Sequence, residues 1–198
     1  MIVLDIETTG LIPKLHSIVS IGAVDFNNPE NQFYDECRIR RGARIDPIAL
    51  ELNGFTEERM LDEKKSSLKE ISQLFLKWAE NIEYKSLAGE NVSFDQDFLE
   101  DTLRRHDIPW PFGYRLVDLH TASYSHHLKR GVAPPIKDGL SRLSLDRTLD
   151  YVGIPPEPKP HNALNGAKLG AEALSRLLHG KNLLEEYKHH RIPDYLIP

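Results

Sequence analysis

Apolar residues run from Met1 to Leu4 and then alternate with carboxylates through Asp5-Ile6-Glu7, before Thr8-Thr9-Gly10 ends the pattern. A short apolar run followed by period-two alternation predicts a strand over Ile2–Glu7. Residues two apart in a strand project to one side, so Asp5 and Glu7 share a face and Ile6 points into the core. The segments His16–Phe26 and Phe33–Arg40 read as two further strands, the first of them rich in β-branched residues, with breaks at Pro13 and Asn27-Asn28-Pro29. Three strands in succession predict an antiparallel meander.

Past residue 65 the period lengthens. Leu68, Ile71, Leu74, Phe75 and Trp78 follow helical spacing, which predicts a helix capped by Ser66 or Ser67 and reaching about Asn81. A short strand at Ser86–Gly89 precedes a helix from about Phe94 to His106, with Phe98, Leu99 and Leu103 inward, and an apolar segment at Tyr114–Leu119 follows. Ser144, or Ser141 before it, opens a helix that carries Leu145, Leu149 and Val152 and stops at Gly153; the last helix spans roughly Asn162–Leu178 before Gly180. Strands first, then alternating helices and short strands, predict an α/β fold with a mixed central sheet and helices on both faces.

Composition narrows the picture. With 198 residues, 40% of them hydrophobic, the chain is long enough for one well-buried core, and a single domain over 1–198 is expected. The Pro-rich stretches at 132–135 and 155–160 are short and lie between helical patterns, so they read as loops. No run is apolar enough to span a bilayer, and no basic-then-apolar leader precedes the first strand; a cytoplasmic protein without a membrane is expected. Cys37 is the sole cysteine, which excludes an internal disulfide and a thiolate zinc site. A net charge of −5 argues against wrapping duplex nucleic acid. Local basic clusters at Arg38, Arg40, Arg41 and Arg44, and at Lys129, Arg130, Lys137, Arg142 and Arg147, read mostly as solvated surface, though either can meet a few phosphates.

Three segments carry candidate chemistry. Asp5 and Glu7 offer hard oxygen donors suited to Mg²⁺ or Mn²⁺, although a bare pair of this kind is more often a solvated strand end. Asp95, within Glu90-Asn91-Val92-Ser93-Phe94-Asp95, stands at a strand-to-helix junction, where alone it reads as a helix cap slightly more often than as a metal-site residue. His161 opens the last helix in His161-Asn162-Ala163-Leu164-Asn165-Gly166-Ala167, where a lone histidine is ordinarily a surface or capping residue.

In order and wording these segments resemble the DnaQ-like, or DEDDh, 3′-5′ exonucleases, the family of the DNA polymerase III proofreading subunit, ribonuclease T and oligoribonuclease. The likeness continues through Ile18-Val19-Ser20-Ile21-Gly22-Ala23-Val24, Ile45-Asp46-Pro47, Leu52-Asn53-Gly54-Phe55-Thr56, Val117-Asp118-Leu119-His120, Leu143-Ser144-Leu145-Asp146 and Tyr151-Val152-Gly153-Ile154. The resemblance implies a ribonuclease-H-like fold and a metal-dependent enzyme that releases nucleoside monophosphates from single-stranded DNA or RNA 3′ ends. By the same resemblance Asp5, Glu7 and Asp95 hold two Mg²⁺ or Mn²⁺ ions and His161 is the general base. Thr8 and Thr9 hold the terminal 3′-hydroxyl through their backbone, and Leu52, Asn53 and Phe94 contact the terminal nucleotide. An anionic phosphodiester repels hydroxide, so cations that polarise it and acidify the attacking water supply what the reaction lacks.

One position departs from the family pattern. Where the family carries a fourth acid, five residues after the histidine, this chain has Gly166. One weakly held ion is therefore expected, with Asn162 or Asn165 as neutral oxygen donors in its place. The alternative is a catalytically impaired module that binds nucleic-acid 3′ ends. Neither a polymerase-docking segment nor a dimer interface is legible in the sequence, and nothing in it separates DNA from RNA.

Overall fold

The alternation that begins at Ile2 forms β1 (Ile2–Thr8), the central strand of a five-stranded sheet. The structure, a computed structural model, describes residues 1–197. Antiparallel to β1 runs β2 (Ile18–Asp25), and antiparallel to β2 runs β3 (Gln32–Glu36), the expected meander. On the other side of β1 lie β4 (Leu87–Gly89) and β5 (Val117–Asp118), both parallel to their neighbours, giving the order β3-β2-β1-β4-β5.

Helices cover both faces, and β1 shows why. Its even residues Ile2, Leu4 and Ile6 enter one apolar core with Leu68, Ile71 and Phe75 of α3 (Leu68–Glu80) and Phe98, Leu99 and Leu103 of α4 (Val92–Arg105). Val3 enters a second core with α5 (Leu119–Lys129), α6 (Leu145–Val152) and α7 (Ala163–His179). Each fully buried Leu, Ile or Phe contributes about 1.5–3 kcal/mol, so losing either layer would leave β1 without half of its support. The helix α3 starts where expected, with a reciprocal cap: Glu70 N–H donates to Ser67 Oγ and Ser67 N–H donates back to Glu70 Oε2.

Two short helices, α1 (Pro47–Asn53) and α2 (Glu57–Leu61), fill the stretch between the meander and α3, and a small hairpin pairs Ile136–Lys137 with Leu140–Ser141. None of these was expected from periodicity, nor was α5, whose sequence Leu-His-Thr-Ala-Ser-Tyr-Ser-His-His-Leu-Lys has no continuous apolar stripe. The third strand ends at Glu36 rather than Arg40, because the chain leaves the sheet there: Arg38 N–H donates to Ser66 O and Ile39 N–H to Met60 O.

The helix α7 lies very close to the sheet. An added Cβ at Gly22 of β2 would overlap the backbone of Ala163 and Leu164, and the buried row of α7 is small, with Gly166, Ala167, Gly170 and Ala171. Gly22 is the register partner of Asp5, so this contact sets the first turn of α7 directly over the acidic end of β1.

Candidate active site

Asp5 and Glu7 project from β1 on the Val3 side, beneath the start of α7. Asp95 comes from the first turn of α4 and is 3% exposed. Its Oδ1 accepts the Ile6 backbone N–H at 2.9 Å, which ties it to the strand between the other two acids. Asp95 is not a helix cap: α4 begins at Val92 behind Asn91, earlier than the expected Phe94. His161 precedes α7 and is held by its backbone, donating N–H to Leu52 O at 2.9 Å. The sequence-predicted acids and histidine are therefore brought together from three separate parts of the chain.

Two cavities meet at Glu7 and His161. One, of about 320 Å³, is acidic and is lined by Asp5, Glu7, Glu90, Glu157 and His161. The other, of about 230 Å³, is mostly apolar and is lined by Thr8, Leu52, Asn53, Phe94, Glu7 and His161. Phe94 packs on Phe98 with ring centroids 4.9 Å apart, so its ring is fixed at the cavity wall. Asn53 is buried and works as a clamp: its Nδ2 donates to Thr8 O and its Oδ1 accepts the Phe55 N–H.

Thr9 is not in either lining. Its Oγ1 donates to Arg44 O and accepts the Ser17 N–H, while its backbone N–H and carbonyl are taken by Ser17 O and Asp46 N. Thr9 fixes the strand end and leaves Thr8 as the threonine at the cavity.

The charges are crowded. Burial pushes the Asp5 carboxyl well above its ordinary range, and Asp95, Glu7 and Glu157 push it further. Burial and then Glu157 raise Glu7 to about 8. Asp95 is raised by burial, against the hydrogen bond it accepts from Ile6, and Glu7 adds to the rise. Glu90 is raised to about 7 by burial and by Asp118, and its Oε2 is buried without a hydrogen-bond partner. Carboxylates that repel one another in a buried cleft form a donor set suited to a hard divalent cation.

Glu157 was not expected from the sequence. Its side chain is 6% exposed, and together with Glu7 and His161 it places ligand atoms within 4.8 Å of one another. Its one sequence signal is a position four residues before His161, and in a proline-rich loop no periodicity gives that spacing a meaning. Conversely, Asn162 and Asn165 do not reach the acidic lining. The Oδ1 of Asn162 is committed to capping α7, accepting the N–H groups of Leu164 and Asn165.

Residues 2–174 match the family described as Exonuclease, of the RNase T type. The chain is 28% identical over 180 residues to the DNA polymerase III PolC-type of Thermotoga petrophila, an alignment covering 89% of this chain but only 12% of that protein. It is 26% identical over 179 residues to the 3′-5′ DNA exonuclease Cap18 of Escherichia coli, covering 88% of each. Among solved structures, the nuclease domain of 3′hExo, a DEDDh family member bound to rAMP, superposes with a TM-score of 0.69 at 18% identity, covering 98% of this chain and 95% of that one. The shared architecture is the ribonuclease-H-like fold. No helix among the described residues is long and apolar enough to cross a membrane.

Proposed function

Since the chain belongs to the exonuclease family, we propose that it is a metal-dependent 3′-5′ exonuclease that releases nucleoside monophosphates from single-stranded DNA or RNA 3′ ends. The observation that carries this reading is the junction of the two cavities, where Glu7 and His161 belong to both an acidic compartment and an apolar one. Two similar proteins, a 3′-5′ DNA exonuclease and an rAMP-bound nuclease domain, bracket the substrate class without choosing the sugar.

Asp5, Glu7 and Asp95 would hold Mg²⁺ or Mn²⁺, and the crowding that raises their carboxyls is what a cation would relieve. When bound, the ions supply positive charge that polarises the phosphodiester and acidifies the attacking water. The rest falls to the protein. His161, a third exposed and anchored through Leu52, takes the proton from that water; imidazole is the side chain whose ordinary titration lies nearest neutral pH. Phe94 and Leu52 receive the terminal base by stacking and apolar contact, worth about 1–3 kcal/mol for any base, so cleavage has low sequence preference. Thr8 and Asn53 fix the floor against which the terminal sugar rests.

Time-resolved digestion of 3′-hydroxyl DNA and RNA oligonucleotides with Mn²⁺, Mg²⁺ or chelator tests the proposal. Stepwise shortening from the 3′ end that chelator abolishes is the expected result. Gly166 gives the second reading its basis: oligonucleotide binding without cleavage under any metal would make the chain a 3′-end binding module.

A further inference from the structure

We propose that Glu157 supplies the carboxylate that the family pattern places at position 166, so that the site keeps four acids with the fourth delivered from the loop before His161 instead of from α7. The inference rests on the exonuclease reading above and names a ligand that no motif of the sequence marks.

Three observations converge. The first is reach. The ligand-capable atoms of Glu7, Glu157 and His161 lie within 4.8 Å of one another, and opposite ligands of an octahedral Mg²⁺ or Mn²⁺ stand roughly 4.2 Å apart, so Glu7 and Glu157 can touch one cation after a sub-ångström closure. The second is the way Glu157 is held. Its side chain is 94% buried, with one oxygen fixed: Oε1 accepts the Asn162 N–H at 3.3 Å. The other, Oε2, accepts no hydrogen bond among the described residues; it stands 3.6 Å from His161 Nδ1, on the acidic cavity. The Glu157 backbone is itself pinned, its N–H donating to Asp146 Oδ1 at 3.2 Å, and Pro155, Pro156, Pro158 and Pro160 restrict the loop around it. A nearly buried carboxylate with one anchored oxygen, and a second that accepts no hydrogen bond and stands near Glu7 and His161, is a donor awaiting a cation.

The third observation is at Gly166. A Cβ there would overlap Asp5 Oδ2 and come within 2.8 Å of Asp5 Cγ. Asp5 thus fills the space over α7 that a side chain at 166 would need, and Glu157 stands on the loop side of the same cavity, clear of that overlap. Glu90 lines the same cavity, and its Oε2 is buried without a hydrogen-bond partner.

Calorimetric Mn²⁺ titration of the full chain tests the assignment, on the unaltered protein, Glu157→Gln and Asp5→Asn, with metal-free melting temperatures as the folding control. Glu157→Gln removes the charge and keeps the shape, and at least a tenfold loss of Mn²⁺ affinity with an unchanged or higher metal-free melting temperature is expected. Unchanged affinity in Glu157→Gln, with affinity lost in Asp5→Asn, would overturn the assignment while leaving the exonuclease reading intact. In that event slowed turnover would make Glu157 a positioning partner of His161. No Mn²⁺ binding by the unaltered protein would sink the exonuclease reading itself. Should Glu157→Gln not fold, Glu157→Asp keeps the charge one methylene short, and an affinity equal to that of the unaltered protein would likewise overturn the proposal.

Discussion

An added Cβ at Gly166 would overlap Asp5 Oδ2, so the effect of a side chain there is decided by packing before charge enters. Counting charges alone predicts that Gly166→Asp strengthens the site by returning an anionic ligand. With Asp5 in the way, the new carboxylate must displace the very group it is meant to assist, and it adds a further like charge to three acids whose ionisation is already suppressed. We expect Gly166→Asp to lower the metal-free melting temperature and to leave Mn²⁺-dependent hydrolysis flat or reduced. A clear rise in turnover would show that Asp5 swings aside freely. His161 makes a simpler case, because its backbone holds the loop and its ring faces both cavities. His161→Ala should lower kcat by about 10²–10⁴-fold while oligonucleotide binding changes little, since a general base acts on water in the transition state and contributes little to holding the ground-state phosphate. Single-turnover rates set beside filter-binding affinities would separate the two, and parallel losses would recast His161 as a ligand or a strut.

At the scale of elements, the distance between α7 and the sheet is the quantity that assembles the site. Gly22 pairs with Asp5 across the β1–β2 ladder, and a methyl group at position 22 would overlap the Ala163–Leu164 backbone, which cannot yield as a side-chain tip can. Gly22→Ala should therefore destabilise the protein by about 1–3 kcal/mol and, by pushing the start of α7 outward, reduce turnover without altering any acid. Denaturant unfolding and Mn²⁺-dependent hydrolysis measure the two effects; a loss of stability with full activity would mean that His161 is positioned by Leu52 alone. This dependence on spacing also explains what the sequence disclosed. The strands of the meander, α3, α4, α6 and α7 were legible because each has a buried face whose period survives in the sequence, with Ser67, Ser144 and Gly153 marking ends. The short α1 and α2 and the apolar-poor α5 were not, since they bury too little to imprint a period. Asp5, Glu7, Asp95 and His161 were legible as motif residues. Glu157 was not, because its place opposite Glu7 depends on how a proline-rich loop folds over the sheet, and no spacing rule encodes that.

Over the whole molecule, three acids buried together at the site, Asp5, Glu7 and Asp95, give stability an unusual pH dependence. A carboxyl raised in the native state binds more protons there than in the unfolded chain, so between its ordinary pKa and its native one stability falls as pH rises. For Glu7 that window runs from its ordinary 4.5 to about 8, and Asp5 and Asp95 act in the same direction. Glu36 opposes them at lower pH: against the cost of its burial, hydrogen bonds from Arg59, Lys65 and Tyr34 hold it down at about 2, so its contribution is present above 4.5 and lost only as pH falls toward 2. The Glu36 window closes at 4.5, where that of Glu7 opens. In chelator the melting temperature should therefore be higher at pH 6 than at pH 8. Saturating Mn²⁺ should close or invert that gap, because a cation bound only by the native state stabilises in proportion to its affinity, and protons compete for the same oxygens at pH 6. Thermal scans at the two pH values, with and without Mn²⁺, carry the comparison. A metal-free protein that instead loses stability on acidification from pH 8 to pH 6 would mean that these acids are already ionised and well solvated, and the crowded cation site would have to be abandoned.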